Sequence, residues 1–541
     1  MLGKYYFILF LFLCQFSYGQ DREDDAWVFF ADKENVAESL SDPLLILTQE
    51  AIDRKELHGT IIDERDIPVT ESYITEIKNA EGITVYAKSK WMNCVYVRGL
   101  IPDIDALLDL PFVSGIEFAD KSLNTAPFFR NTPNKFFAET HSKIVYDYGS
   151  ALNQIEQLNG QVLHENDLTG NEIPIAFLDS AFPDVNTILG FSNLISEGRL
   201  LGTYDFVLRQ EDATGVGSHG TRTLSTSAGF IENEFVGTAP QASYYLFRTE
   251  DATSENPVEE AYWVEALERA DSLGVYVVNT SLGYQDYDNA NYDHAYEDLD
   301  GLTTFAARGA NLALEKGMLV VTSAGNDGEG FGFVATPGDA IGAFTIGAVD
   351  ADGEYVSFSS IGPTVDGRIK PDVMAQGREA ANITTDGSIL FSSGTSFSSP
   401  ILAGLIACLW QTAPELTNAE IMQIVRESAH LFDTPTDEMG YGIPDFSEAL
   451  LAVETLAIEE LQQNELFAIY PNPVSDVLYI NLPRNIDSAS LAIYSILGIL
   501  VFETNISSEE NTIFTDFLSE GMYIVQLKSS EKTQRFKLIK N

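Results

Sequence analysis

The chain has 541 residues, 45% hydrophobic and 11% aromatic, which excludes a disordered protein and, at ~150 residues per domain, implies about three or four folded units. Lys and Arg number 31 against 81 Asp and Glu, a net charge of −50. A surface so negative repels phosphate backbones and anionic lipid, so nucleic acid is not expected as a partner.

The first nineteen residues read as a secretory address. Lys4 is the lone positive charge, residues 5–16 are mostly apolar, and Ser17 and Gly19 put small residues at the −3 and −1 positions of a cut before Gln20. Cys14 lies in this segment, and the bulky Phe12-Leu13 before it argue against lipid attachment. No later stretch approaches ~20 uncharged apolar residues, so no membrane span is expected. The other two cysteines, Cys94 and Cys408, are far apart. They offer neither a disulfide framework nor zinc spacing, and Cys408 reads as a small apolar core residue of a helix.

Residues 20–143 look like a small α/β leader. Strand patterns cover 26–30, 84–87 and 94–97, helical periodicity covers 71–79, and residues 104–110 lead into Pro111-Phe112-Val113. The polar, proline-punctuated stretch 125–133 reads as a linker. From 144 to 455, apolar runs at 173–178, 244–247, 275–279 and 319–322 alternate with helical stretches at 257–273, 302–316 and 396–411. This is the pattern of a mostly parallel α/β sheet. From 465 to 541 short alternating strands predict an all-β module. No internal repeat is found.

Three segments carry chemistry. Ile175-Ala176-Phe177-Leu178-Asp179 ends a buried strand with a carboxylate, at the edge where open α/β sheets place their sites. Ser218-His219-Gly220-Thr221 puts an imidazole just before a predicted helix start, with Leu224 and Ala228 on one side of that helix. Gly394-Thr395-Ser396 puts a hydroxyl at the start of an apolar helix. Acyl transfer needs this set: Ser396 to attack, His219 to take its proton, Asp179 to orient and stabilise the imidazolium. A second His-Gly-Thr, at His58-Gly59-Thr60, precedes Asp179 and has no such context; it reads as a surface loop of the leader.

In the order Asp, His, Ser, these segments resemble the subtilisin-like serine proteases (subtilases) over residues 165–450. Gly237-Thr238-Ala239-Pro240, Ser323-Ala324-Gly325-Asn326-Asp327, Phe358-Ser359-Ser360-Ile361-Gly362 and Gly440-Tyr441-Gly442 support the likeness. The resemblance implies a subtilisin-like three-layer α/β fold and an oxyanion hole in which the Asn326 amide joins the nucleophile's backbone N–H. It also implies a first specificity pocket bounded by Ser281, Leu282 and Gly283 and by Ser323, Ala324 and Gly325, where a substrate adds as an extended strand. Tight sheet packing would explain those glycines equally well. Two departures are noted, Ala181 after Asp-Ser and Arg222-Thr223-Leu224-Ser225 after His-Gly-Thr; neither is expected to touch a catalytic atom.

No cofactor is required for such chemistry. Subtilases often bind calcium, yet no residue can be assigned as a ligand: Asp350-Ala351-Asp352-Gly353-Glu354 lacks the remaining positions of a calcium loop and reads as a hairpin turn between Val349 and Tyr355. Residues 68–119 resemble a subtilase propeptide, which implies an intramolecular chaperone and inhibitor; a permanent N-terminal domain is the alternative. The tail, with Ile469-Tyr470-Pro471-Asn472-Pro473 and a basic last strand at 536–540, resembles the C-terminal sorting domains of type IX secretion, a small β-sandwich read by export machinery. A carbohydrate- or protein-binding β module is the rival there. The expectation is thus a secreted or surface-attached serine endopeptidase made as a zymogen, acting on protein and peptide substrates. Its rivals are an inactive subtilase-fold adhesion scaffold and a subtilase-fold transacylase.

Overall fold

The computed structural model describes residues 22–124, 146–328 and 330–464, and in the tail 467–482, 486, 488–495, 499–507, 511–529 and 533–541. The secretory address and the linker at 125–133 lie outside the described residues.

Alternation along the first strand sets the leader's architecture. The leader runs β1 (Glu23–Phe30), α1 (Val36–Ser41), α2 (Gln49–Leu57), α3 (Glu71–Asn79), β2 (Thr84–Ser89), β3 (Cys94–Leu100), α4 (Ile101–Ala106) and β4 (Val113–Phe118). Its antiparallel sheet has the order β2-β3-β1-β4. Ala26, Val28 and Phe30 point to one face, where Ile74, Ile77 and Ile104 of α3 and α4 cover them. Trp27 points to the other, because successive strand residues alternate.

The central region begins with α5 (Leu152–Glu156), α6 (Gln161–Glu165), β5 (Pro174–Asp179), α7 (Ser192–Ser196), β6 (Leu200–Asp205) and α8 (His219–Ala228). A short pair, β7 (Phe230–Ile231) and β8 (Phe235–Val236), precedes β9 (Ser243–Arg248), α9 (Val258–Ser272), β10 (Val277–Thr280), α10 (Phe305–Glu315) and β11 (Leu319–Ser323). Then come β12 (Ala343–Val349), β13 (Val373–Gln376), β14 (Ala380–Ile383), β15 (Ile389–Ser392), α11 (Thr395–Thr412), α12 (Asn418–Glu427) and α13 (Phe446–Asn464). Seven strands pair in parallel in the order β13-β12-β11-β10-β5-β9-β6. They are covered on both faces, which is why they read as unbroken apolar runs. Ala176, Leu178, Val278 and Val320 share a core with α9 and α10. On the other face α11 packs along β10 to β13, beside α8. The result is the three-layer α/β arrangement expected. The helix predicted over 302–316 starts only at Phe305, because Thr304 accepts the Ala307 N–H (3.1 Å) as its N-cap.

The leader sheet lies on α9 and α10. Trp27 stacks on Phe305 (ring centroids 4.8 Å apart), and Trp91, Cys94 and Tyr96 join the same core as Tyr262 and Trp263. Beside this apolar contact is a buried ion cluster. Lys55 Nζ meets Asp271 (2.7 Å) and Lys316 Nζ meets Asp66 (2.6 Å), while Arg54 bonds Asp271 and the carbonyls of Val275 and Lys316. Removing Asp271 would leave the buried Arg54 guanidinium without its carboxylate, at a cost of about 3–5 kcal/mol.

His58 departs from its expected place on a surface loop. It is buried in this contact, stacked on Trp410, with Nε2 2.8 Å from the Pro414 carbonyl. The sequence around His58 carries no sign of these partners, because Pro414 lies 356 residues further along the chain.

The tail forms its own unit. Strands β16 (Ala468–Tyr470), β17 (Val477–Asn481), β18 (Ser488–Ser495), β19 (Leu500–Ser507), β20 (Thr512–Phe514), β21 (Gly521–Lys528) and β22 (Thr533–Lys540) form two antiparallel sheets, β16-β17-β20 and β19-β18-β21-β22. Leu478, Ile480, Leu491, Ile493, Val525 and Leu538 fill the core of this all-β module. Among the described residues, no helix is long and apolar enough to cross a membrane.

Candidate active site

The C-terminal edge of the parallel sheet gathers the predicted residues. Asp179 ends β5 and is fully buried, while His219 opens α8. The helix can approach because position 220 is glycine: a Cβ there would lie 2.4 Å from the Ala181 carbonyl oxygen. His219 Nδ1 sits 2.8 and 3.0 Å from the two Asp179 oxygens. Ser180 N–H also donates to Asp179 Oδ1 (2.7 Å). Attraction to the carboxylate raises the His219 pKa above its ordinary value, against the opposing effect of burial.

Thr223 corrects the expectation that the residues after His-Gly-Thr touch no catalytic atom. Its hydroxyl donates to Asp179 Oδ2 at 3.1 Å. Four residues after His219 is one helical turn, so the spacing itself carried that signal. Arg222 packs nearby, its guanidinium carbon 5.5 Å from the centre of the Phe397 ring.

Ser396 is the second residue of α11, where unpaired backbone N–H groups and the helix dipole favour a developing negative charge. Its Oγ is turned toward the Ser281 carbonyl (3.5 Å); no hydrogen bond joins it to His219 among the described contacts. The Phe397 ring lies 6.4 Å from the His219 ring, centre to centre. Asn326 is exposed, and its Oδ1 accepts the N–H (2.9 Å) and hydroxyl (3.1 Å) of Thr395. With its oxygen so engaged, the amide NH2 is the end left to serve a ligand. Sequence reasoning did not single out Thr395.

Segments 281–283 and 323–325 lie at the C-terminal ends of neighbouring parallel strands, with Thr280 beside Thr322 and Leu178. Ser281, Ser323 and Ala324 are buried, Leu282 and Gly325 half-buried, and Gly283 exposed. Glu250, just after β9, accepts from the Tyr284 hydroxyl (2.8 Å) and Thr249 (2.9 Å), and burial pushes its pKa up to about 7. Its charge, when present, adds to the field that favours the His219 cation.

Three stretches match family models: residues 25–135 the peptidase S8 propeptide domain of Bacteroidota, residues 170–443 the subtilase family, and residues 468–541 the secretion system C-terminal sorting domain. The second spans just over half of the chain. The chain belongs to the subtilase family. Serine protease AprX of Bacillus subtilis is 27% identical over 326 residues, 54% of this chain and 68% of that protein. Subtilisin Savinase of Lederbergia lenta is 28% identical over 279 residues, 51% of this chain and 90% of that protein. A solved chain described as the MycP3 protease from the type VII (ESX-3) secretion system gives a TM-score of 0.45 at 20% identity, covering 58% of this chain and 92% of that one.

This subtilase is a serine-type endopeptidase, made as a zymogen and carrying a type IX sorting tail that directs it out of the cell or to the cell surface. The family generally binds calcium, but the loop at 350–354 does not fit. Asp350 Oδ1 is taken by the N–H groups of Asp352 and Glu354 (3.1 and 3.0 Å), and Val349 bridges Tyr355, as in the expected hairpin turn. Among the described residues, no group of three or more His, Cys, Asp or Glu side chains converges to hold a metal.

Proposed function

We propose that this subtilase hydrolyses peptide bonds through an acyl-enzyme formed on Ser396. His219 is the general base and then the general acid, and Asp179 is the residue that orients it. The Asp179–His219 pair carries this reading: with Nδ1 held by the carboxylate at 2.8 Å, Nε2 is the nitrogen left to take the Ser396 proton and return it to the leaving amine. A turn of the Ser396 side chain away from the Ser281 carbonyl precedes attack. The tetrahedral oxyanion is met by the Ser396 backbone N–H and the Asn326 amide, donors worth about 2.7–4 kcal/mol in the transition state. Segments 281–283 and 323–325 flank the substrate strand. Processing divides the chain into a signal at 1–19, an inhibitory leader at 20–143, the peptidase at 144–455 and the tail at 465–541, which the export machinery reads.

A fluorophosphonate probe should label the processed enzyme at Ser396, and Ser396→Ala should abolish both labelling and turnover while staying folded. Asn326→Ala should lower kcat by ~10²–10³ with KM little changed. Turnover by the folded Ser396→Ala variant would discard the assignment. Product analysis with an added amine acceptor separates hydrolysis from acyl transfer.

A further inference from the structure

Arginine in so acidic a protein usually finds a carboxylate: Arg248 pairs with Asp205, Arg308 with Glu117 and Arg426 with Asp372. Arg222 does not. No ion pair among the described residues includes it; its Nε donates to Asn382 Oδ1 (3.0 Å) and one Nη to Ser392 Oγ. Both partners are neutral, so they fix the plane of the guanidinium without cancelling its charge. The side chain is half-buried, against the ring of Phe397, the residue after Ser396.

Its side of the cleft follows from chemistry. The histidine that protonates the leaving amine must stand on the leaving-group side of the scissile bond. Arg222 is one helical turn beyond His219 on α8, and its acceptors belong to the β14–β15 hairpin that runs directly into Ser396. The segments assigned above to the substrate strand instead follow β10 and β11.

We propose that Arg222 is a specificity-determining residue that receives a carboxylate carried by the leaving part of the peptide. The inference rests on the reading of His219 and Ser396 given above. A fixed guanidinium matches a carboxylate with two parallel N–H donors, and here it is a cation beside the reacting groups that forms no ion pair with an acid among the described residues. The carboxylate belongs either to an Asp or Glu side chain or to the free C-terminus of a short leaving peptide.

Two peptide pairs sharing one acyl side test this on the processed enzyme, with rates expressed per fluorophosphonate-reactive site. One pair carries Glu or Gln after the scissile bond and an amidated C-terminus; the other is neutral there, with a free or amidated C-terminus. Wild type should favour the charged member of at least one pair by about tenfold in kcat/KM, the worth of one charge-assisted hydrogen bond. The pair that responds identifies the source of the carboxylate. Arg222→Gln should bring that ratio to about one, and Arg222→Lys should keep part of it, which guards against a glutamine variant that folds poorly. Ratios near one in wild type, or an undiminished ratio in Arg222→Gln, would overturn the proposal. Failure of the triad reading would look different: the probe would not depend on Ser396.

Discussion

The side-chain hydroxyl of Ser281 donates to the main-chain carbonyl of Ser396 at 2.9 Å. In a regular helix that carbonyl receives the N–H four residues on, but residue 400 is proline and has none. Ser281 supplies the missing donor and ties the end of β10 to the first turn of α11. Ser281→Ala should leave a buried acceptor empty and cost about 1–3 kcal/mol, read as a lower urea midpoint of the processed enzyme in a Ser396→Ala background that prevents autolysis. Ser281→Thr should recover most of it. An unchanged midpoint for alanine would remove Ser281 from the support of this turn.

The Asp179 carboxylate raises His219 above its ordinary titration range. A general base works only when neutral, so activity is lost as the pH falls through that raised value. The acid limb of kcat/KM should therefore have its midpoint above ~6.5. Thr223→Val removes one donor to Asp179; the less satisfied carboxylate then holds the imidazolium more strongly, moving the limb further up while kcat falls. Thr223→Ser should restore both. A limb that moves down in the valine variant would contradict this role.

The sheet was legible because its strands are buried on both faces, and α9 at Val258–Ser272 lies within one residue of each end predicted for it. Asp179, His219 and Ser396 were legible because each stands at a strand or helix end with its own local pattern. The support around them was not. Arg54 meets Asp271 across 217 residues and His58 meets Pro414 across 356, distances over which no periodicity carries information. Thr223 is a different case: in the sequence it stands out as a departure from a motif, and its role shows only in its place one helical turn from His219.

Deleting the tail from residue 465 should trap the enzyme inside the envelope while the purified peptidase keeps its turnover. The tail buries Leu478, Ile480, Leu491, Ile493 and Val525 in a core of its own, and no residue proposed for catalysis lies beyond 396. Assay of medium, envelope and purified protein from the native host checks both halves. Normal export of the truncated protein would assign the tail another task, such as holding bulky substrates.

Two of the titratable groups in the leader contact, of opposite sign, are shifted across the range between pH 4 and 7. Glu268 on α9 accepts from Ser89 Oγ (2.6 Å) and the N–H groups of Lys90 (2.8 Å) and Trp91 (2.9 Å), and burial pushes its pKa up to about 7 from an ordinary 4.5. His58, buried against Trp410, is pushed down to about 4 from 6.5. When the leader departs, both groups meet water and return to their ordinary values. Glu268 then binds its proton more tightly in the complex, so its contribution to leader affinity is lost as pH rises from 4.5 to 7. His58 binds its proton less tightly there, so its contribution is lost as pH falls from 6.5 to 4. Burial pushes Asp271 up, but Lys55 and Arg54 together outweigh it and hold the carboxyl down at about 2, so it stays charged throughout. The two slopes oppose each other where they overlap, and leader retention by the processed enzyme should change little between about pH 4.5 and 6.5. Glu268→Gln should unmask weakening on acidification and His58→Asn weakening on alkalinisation, each by up to about a hundredfold across its window. Leader retained after dilution, measured at about pH 4.5, 5.5 and 6.5, reads this directly. Parallel profiles for wild type and both variants would show that neither group changes its proton affinity when the leader docks.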